Sequence, residues 1–210
     1  VLATLLQEIV HSPEVYKKIV GMQMLVEGLA MGAFATFYSQ GKDPLMVKLC
    51  QLVMTDEAFH HKFGKIWADR TIPHLSKGEA EKIEDWALEV FNTLLFNLAS
   101  PEQKQWVYAQ VGLDWQWVQA AVMEALTDVQ IRHELSKSTN IFRVLIKTLL
   151  KAGIITDRTR ANYSAYVDMA ELHAEGDHMI GDDIAEEGIR QLIKINGGKA
   201  FSPLSAVAAE

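Results

Sequence analysis

Two long helical stretches, joined by a connection of a few residues, dominate the first third of the chain and constrain its fold more than any other feature. The first runs from Glu14 to about Gln40, after "HSPE", where Ser12 can cap and Pro13 suits a first helical position. Val20, Met24, Ala30, Met31, Phe34 and Phe37 recur along it at the three- and four-residue spacing of a helix. "SQGKDP" then supplies a stop at Gly41, a cap at Asp43 and a start at Pro44, and the second stretch continues to about Asp69. A connection this short makes the two helices antiparallel neighbours.

Helix signals continue downstream and strand signals are scarce. "TIPHLSKG" breaks the chain, and "EAEKIEDWALEVFNTLLFNLA" gives an amphipathic helix with acids in its first turn, where the helix dipole favours them. "SPEQ" opens a further helix that the pattern carries through "WQWVQAAVMEALTDVQIRHEL", with "STN" interrupting before "IFRVLIKTLL". A last helix is expected from Arg160 to about Ile195, although Gly176, Gly181 and Gly188 weaken it. The class predicted is all-α, a bundle.

Composition excludes several functions. At 210 residues and 49% hydrophobic content the chain can bury a substantial core. Its net charge of −7 and lack of any Lys/Arg run argue against nucleic-acid binding. The single cysteine, Cys50, cannot form an internal disulfide, so a cytoplasmic location is expected. No membrane span or leader is expected either. Val1 opens directly into "VLATLLQEIV", which resembles the end of an apolar helix, so an upstream segment is expected.

Within the second stretch, "TDEAFHHKFG" places acids and histidines in apolar surroundings. Cys50, Met54, Glu57, His60 or His61, and Gly64 follow one another at three or four residues and share a face. On the preceding helix Glu27 is the lone acid in a stripe of Gln23, Met24, Ala30, Met31 and Phe34, and a carboxylate there needs a partner. Glu27 lies twelve residues before Ser39, and Glu57 fourteen after Asp43. At about 1.5 Å per residue these are roughly 18 and 21 Å from the turn, so the two acids share a level. His60 sits one turn further along. Two carboxylates and an imidazole between packed helices make a metal half-site suited to iron or manganese. The Glu-x-x-His spacing alone is weak, since 16 Glu and 7 His in this length give roughly half a match by chance. The chain has three, at Glu8/His11, Glu57/His60 and Glu175/His178, and only the middle one has a level-matched acid on a neighbouring apolar helix.

"LVEGLAMGAF", followed about thirty residues later by "TDEAFHHKFG", resembles the second helix pair of the ferritin-like di-iron oxygenases and ribonucleotide reductase small subunits. There, a helix carrying one Glu precedes a helix carrying Asp-Glu-x-x-His and an aromatic-Gly pair. The likeness covers roughly residues 14 to 70. It implies a ferritin-like bundle, expected over residues 1–152 with a helical extension over 153–210. It further implies Glu27, Glu57 and His60 as metal ligands and Asp56 as a residue orienting a histidine ligand by hydrogen bonding. His61 lacks the ligand offset and is expected at the rim or surface. The activity implied is oxidation or hydroxylation of a small, partly apolar substrate by a di-iron or iron–manganese centre using dioxygen and an electron donor. Met24, Met31, Phe34 and Met54 would wall the site, and no separate catalytic base is assigned. Iron oxidation and storage, or a metal-free helical interaction domain, are the alternatives.

A full centre of this family has four carboxylates and two histidines, so this hairpin supplies half. The rest is expected from an upstream helix pair, from Glu134 with Glu175 and His178, or from the twofold partner of a homodimer. Glu8 and His11 lie at the wrong level for the site. Glu124 and Asp128 are read as a solvated acid pair, with metal binding the alternative, Trp106, Trp115 and Trp117 as core or interface residues, and Cys50 as a small buried hydrophobe, with a thiol near the cofactor the alternative.

Overall fold

The computed structural model describes residues 2–126 and 141–176, with isolated positions at 178, 186, 189, 190, 193 and 194. Among the described residues it is all-α, with no strand. Helix α1 spans Leu2–His11. Helix α2 spans Val15–Gln40, and its Ile19–Val26 segment is wound as a π-helix. Helix α3 spans Pro44–Thr71, α4 Lys77–Ala99, α5 Gln105–Gln110, α6 Trp115–Leu126, α7 Ile141–Lys151, α8 Arg160–Tyr163 and α9 Met169–Ala174.

The expected hairpin forms, and its turn works as the sequence suggests. Gly41 N–H closes α2 on the Phe37 carbonyl at 2.8 Å. Asp43 then caps α3, its carboxylate accepting from the Leu45 and Met46 amides at 2.8 and 3.0 Å, with Pro44 at the first helical position. Ser76 and Glu79 form a capping box at the start of α4.

One core surrounds the N-terminal half of α2. Leu5 and Ile9 of α1, Val20, Met24 and Leu25 of the π-segment, Trp86 and Phe91 of α4, and Leu145 and Leu149 of α7 meet there. Ile154, Tyr163, Val167 and Leu172, from the expected C-terminal extension, share this core. Helix α2 is long and apolar enough to cross a membrane. Its inner face is instead taken up by α3, α4 and α7, and 44% of its most apolar window is buried. Helix α3 packs along α2, which leaves its opposite face outward.

Three expectations need correction. The helix expected from "SPEQ" onward breaks at residues 111–114, where Gly112 adopts φ +72°, a backbone geometry that ends a helix. The helix expected from Arg160 does not run on, because residues 164–168 are turns between two short helices. Its continuation past Gly176 lies largely outside the described residues. Trp106 and Trp117, expected in the core or at an interface, are 70% and 62% exposed, so the core half of that expectation fails for them.

Candidate metal centre

The π-segment ends where the site begins. Glu27 N–H bonds to the Met22 carbonyl, five residues back, and the wider winding rotates the side chains that follow relative to an unbroken α-helix. Nothing in the residue pattern signalled this change. Gln23, inside the π-segment, donates from Nε2 to Glu27 Oε1 at 3.1 Å and fixes that oxygen.

Glu57 and His60 of α3 come to the same place. His60 Nδ1 lies 3.3 Å from Glu57 Oε2 and 3.7 Å from Glu27 Oε1. One ligand atom from each of Glu27, Glu57 and His60 falls within 4.8 Å of the others. The level matching read from the sequence is therefore present in the fold. Side-chain exposure grades outward, from 15% at Glu27 through 21% at Glu57 to 54% at His60. Glu27 Oε2 is buried with no hydrogen-bond partner among the described residues. Burial pushes the Glu27 carboxyl above its ordinary range; His60 pulls it down and Glu57 pushes it up.

The close approach of the two helices here depends on Gly64. A Cβ at that position would lie 2.8 Å from Met24 Cγ and 3.5 Å from Gln23 Cβ. Met24, Met31 and Met54 are fully buried around the cluster's helices, and Cys50 is buried on the same face of α3.

His61 overturns its expectation. It is only 8% exposed, and its Nε2 lies 3.2 Å from the Thr148 hydroxyl of α7. The same hydroxyl lies 2.9 Å from the Val144 carbonyl, one helical turn back on α7. The physical reason is helical spacing: His61 stands seven residues from both Met54 and Ala68, the strip of α3 that faces the core, whereas His60 stands at its edge. Asp56 is exposed on the outward face of α3, and among the described residues no hydrogen bond joins it to a histidine.

The internal second half-site does not assemble from its described members. Glu175 follows the six-residue α9 instead of lying within a long helix, and its carboxylate is held by Arg143 and by Lys147, the latter at 3.2 Å. The His178 carbonyl accepts from Lys147 at 2.6 Å. Glu134 and Asp128 lie outside the described residues. Glu8 pairs with Lys17 at 2.9 Å, away from the cluster.

The donor set fits a cation. Two carboxylates and an imidazole converge, and one buried carboxylate oxygen lacks a partner among the described residues, a place that a metal ion would take. No family model, curated protein or solved structure matches the chain.

Proposed function

We propose that Glu27, Glu57 and His60 are half of a carboxylate-rich metal centre, holding iron or manganese, in an oxidoreductase that uses dioxygen on a small, partly apolar substrate. The observation that carries this reading is the buried Oε2 of Glu27, without a hydrogen-bond partner among the described residues, beside Glu57 and His60. Elsewhere in the described core the buried carboxylate of Glu84 is matched by hydroxyls and a guanidinium, as an acid away from water ordinarily is. The Glu27 oxygen is not.

The ferritin-like resemblance of "LVEGLAMGAF" and "TDEAFHHKFG" supports the choice of iron or manganese. When bound, such ions supply one-electron chemistry with dioxygen, and an external electron donor returns them to the reduced state. The chain's own residues hold and shield the site. Glu27 and Glu57 provide oxygen ligands, His60 provides a nitrogen at the open side, and Gln23 orients Glu27. Met24, Met31 and Met54 keep water from the inner side. The 54% exposure of His60 leaves the outer side for substrate or for the residues that complete the centre.

The test is metal content after anaerobic loading with ferrous iron, for the chain and for Glu57→Ala. Iron bound by the chain and lost in the variant supports the reading. No iron on a folded chain at micromolar metal counts against it. A metal-free interaction domain is the second reading, favoured by the apolar outward face of α3, and it predicts that Glu27→Ala and His60→Ala change neither fold nor metal content.

A further inference from the structure

The outward face of α3 carries Leu45, Leu49, Leu52, Phe59, Phe63 and Ile66, between 38% and 79% exposed. Their spacing alternates four and three residues throughout once Asp56 is included, which is the seam of a two-helix coiled coil. At about 200 Å² for a large apolar side chain, these exposures leave on the order of 600 Å² of apolar surface. A standard protein interface takes about 800 Å² from each partner. Isolated exposed leucines need no explanation, but a heptad seam along one helix, interrupted at Asp56 alone, does.

We infer that two copies of this chain pair antiparallel through α3, setting Asp56 of each copy beside His60 of the other. Three observations select this occupant and register. A parallel pair would oppose Asp56 to its own copy in the middle of an apolar seam, where two unpaired carboxylates repel. An antiparallel pair that overlaps Pro44–Thr71 end to end sets Leu49 against the partner's Ile66 and Leu52 against the partner's Phe63, with Asp56 level with the partner's Phe59 and Leu45 level with the partner's Arg70 at the end of the seam. In that register the flanking Lys48, which donates to its own Gln51, comes within two residues of the level of the partner's Asp69, an acid paired with its own Lys65, whereas a shift of one heptad either way opposes Lys48 to the partner's Lys62 or Lys62 to its own copy.

The same register places Asp56 within one residue of the level of the partner's His60, on the flank of the pair where both metal clusters lie. An acid that otherwise interrupts an apolar seam becomes the neighbour of the most exposed ligand of the other copy. The metal part of this inference rests on the proposed function; the pairing does not.

Sedimentation of the metal-free chain at tens of micromolar, with and without Phe63→Lys, tests the pairing first. A dimer that becomes a monomer of unchanged helicity supports it. A monomeric wild-type chain overturns it, including one that instead associates with phosphatidylcholine vesicles, and so does a dimer that survives the substitution. Mixing Leu52→Cys chains with Phe63→Cys chains then tests the register. A disulfide joining the two different chains under mild oxidant is expected, and its absence in a dimer overturns the antiparallel alignment. For the site, Asp56→Asn should leave the dimer intact and weaken iron binding about tenfold. An intact dimer in which Asp56→Asn binds iron as tightly as wild type overturns the role of Asp56. Wild-type dimers that crosslink as expected but bind no iron support the pairing and count only against the metal reading.

Discussion

Gln23 and Glu27 are joined across the end of a π-helical segment, the Gln23 amide donating to one Glu27 oxygen at 3.1 Å while the other oxygen is buried without a partner among the described residues. A carboxylate placed this way is less comfortable in the metal-free protein than a neutral amide would be, because burial disfavours its charge. Glu27→Gln is therefore expected to raise the melting temperature of the metal-free chain by a few degrees, the scale of about 1 kcal/mol, while removing iron binding. Thermal unfolding with and without ferrous iron checks both. A variant less stable than wild type in the absence of metal would show that the Glu27 charge is satisfied without it.

Gly64 sets how closely α2 and α3 approach beside that pair. The 2.8 Å distance from an added Cβ to Met24 Cγ is short, and Met24 is fully buried, so it has little room to move. Gly64→Val should cost about 2 kcal/mol by overpacking and weaken iron binding by separating Glu27 from Glu57. Gly64→Ala should do less of both, since alanine's better helix propensity offsets part of the clash. Urea unfolding and an iron titration of the two variants test the ordering.

The hairpin was legible in the sequence because its signals are local: Asp43 and Pro44 mark a helix start, and a rise per residue is enough to bring Glu27 and Glu57 to one level. The π-winding of Ile19–Val26 was not legible, since the same apolar residues suit an α-helix and the helices packed around them, α3, α4, α7 and α1, come from other parts of the chain. Neighbouring histidines also defeated the sequence. His60 and His61 differ by a rotation of about 100° on the helix, and which one faces the core depends on where α7 packs, through Thr148, many residues away. The breaks after Gln110 and Tyr163 carry local signals, Gly112 with the capping Asp114 and Ser164 with the capping Asp168, but the apolar periodicity on either side outweighed them in the sequence reading.

That pair of histidines gives a sharp contrast. His60 is half exposed and its contacts are with the two acids, whereas His61 is buried against Thr148. His60→Ala should change stability by less than about 0.5 kcal/mol, as surface substitutions do, and abolish or strongly weaken iron binding. His61→Ala should cost about 2 to 3 kcal/mol, through the cavity and the lost hydrogen bond. Where it still folds, it should retain the metal ligands. Denaturant unfolding alongside metal analysis separates the two roles; equal losses of stability would contradict the assignment.

Acid sensitivity should come from Glu84 of α4. Burial pushes Glu84 upward, but hydrogen bonds from Thr159, from the Thr156 hydroxyl and amide, and from Arg158 outweigh it and hold the carboxyl below its ordinary range. The Arg158 contact is 2.8 Å, and the same guanidinium reaches Asp85 at 2.7 Å, so this charged cluster ties α4 to the segment before α8. A depressed folded-state pKa contributes stability that is fully present above the carboxylate range of the unfolded chain. As pH falls through that range the unfolded chain takes up a proton that folded Glu84 refuses, and stability declines until the folded carboxyl also protonates. Glu84→Gln should cost about 2 kcal/mol at neutral pH, the scale of hydrogen bonds to a charged group, and flatten the decline between neutral and acid conditions. Urea midpoints for both chains, measured from pH 7 downward, should converge as the pH drops; parallel curves would place the acid-sensitive group elsewhere.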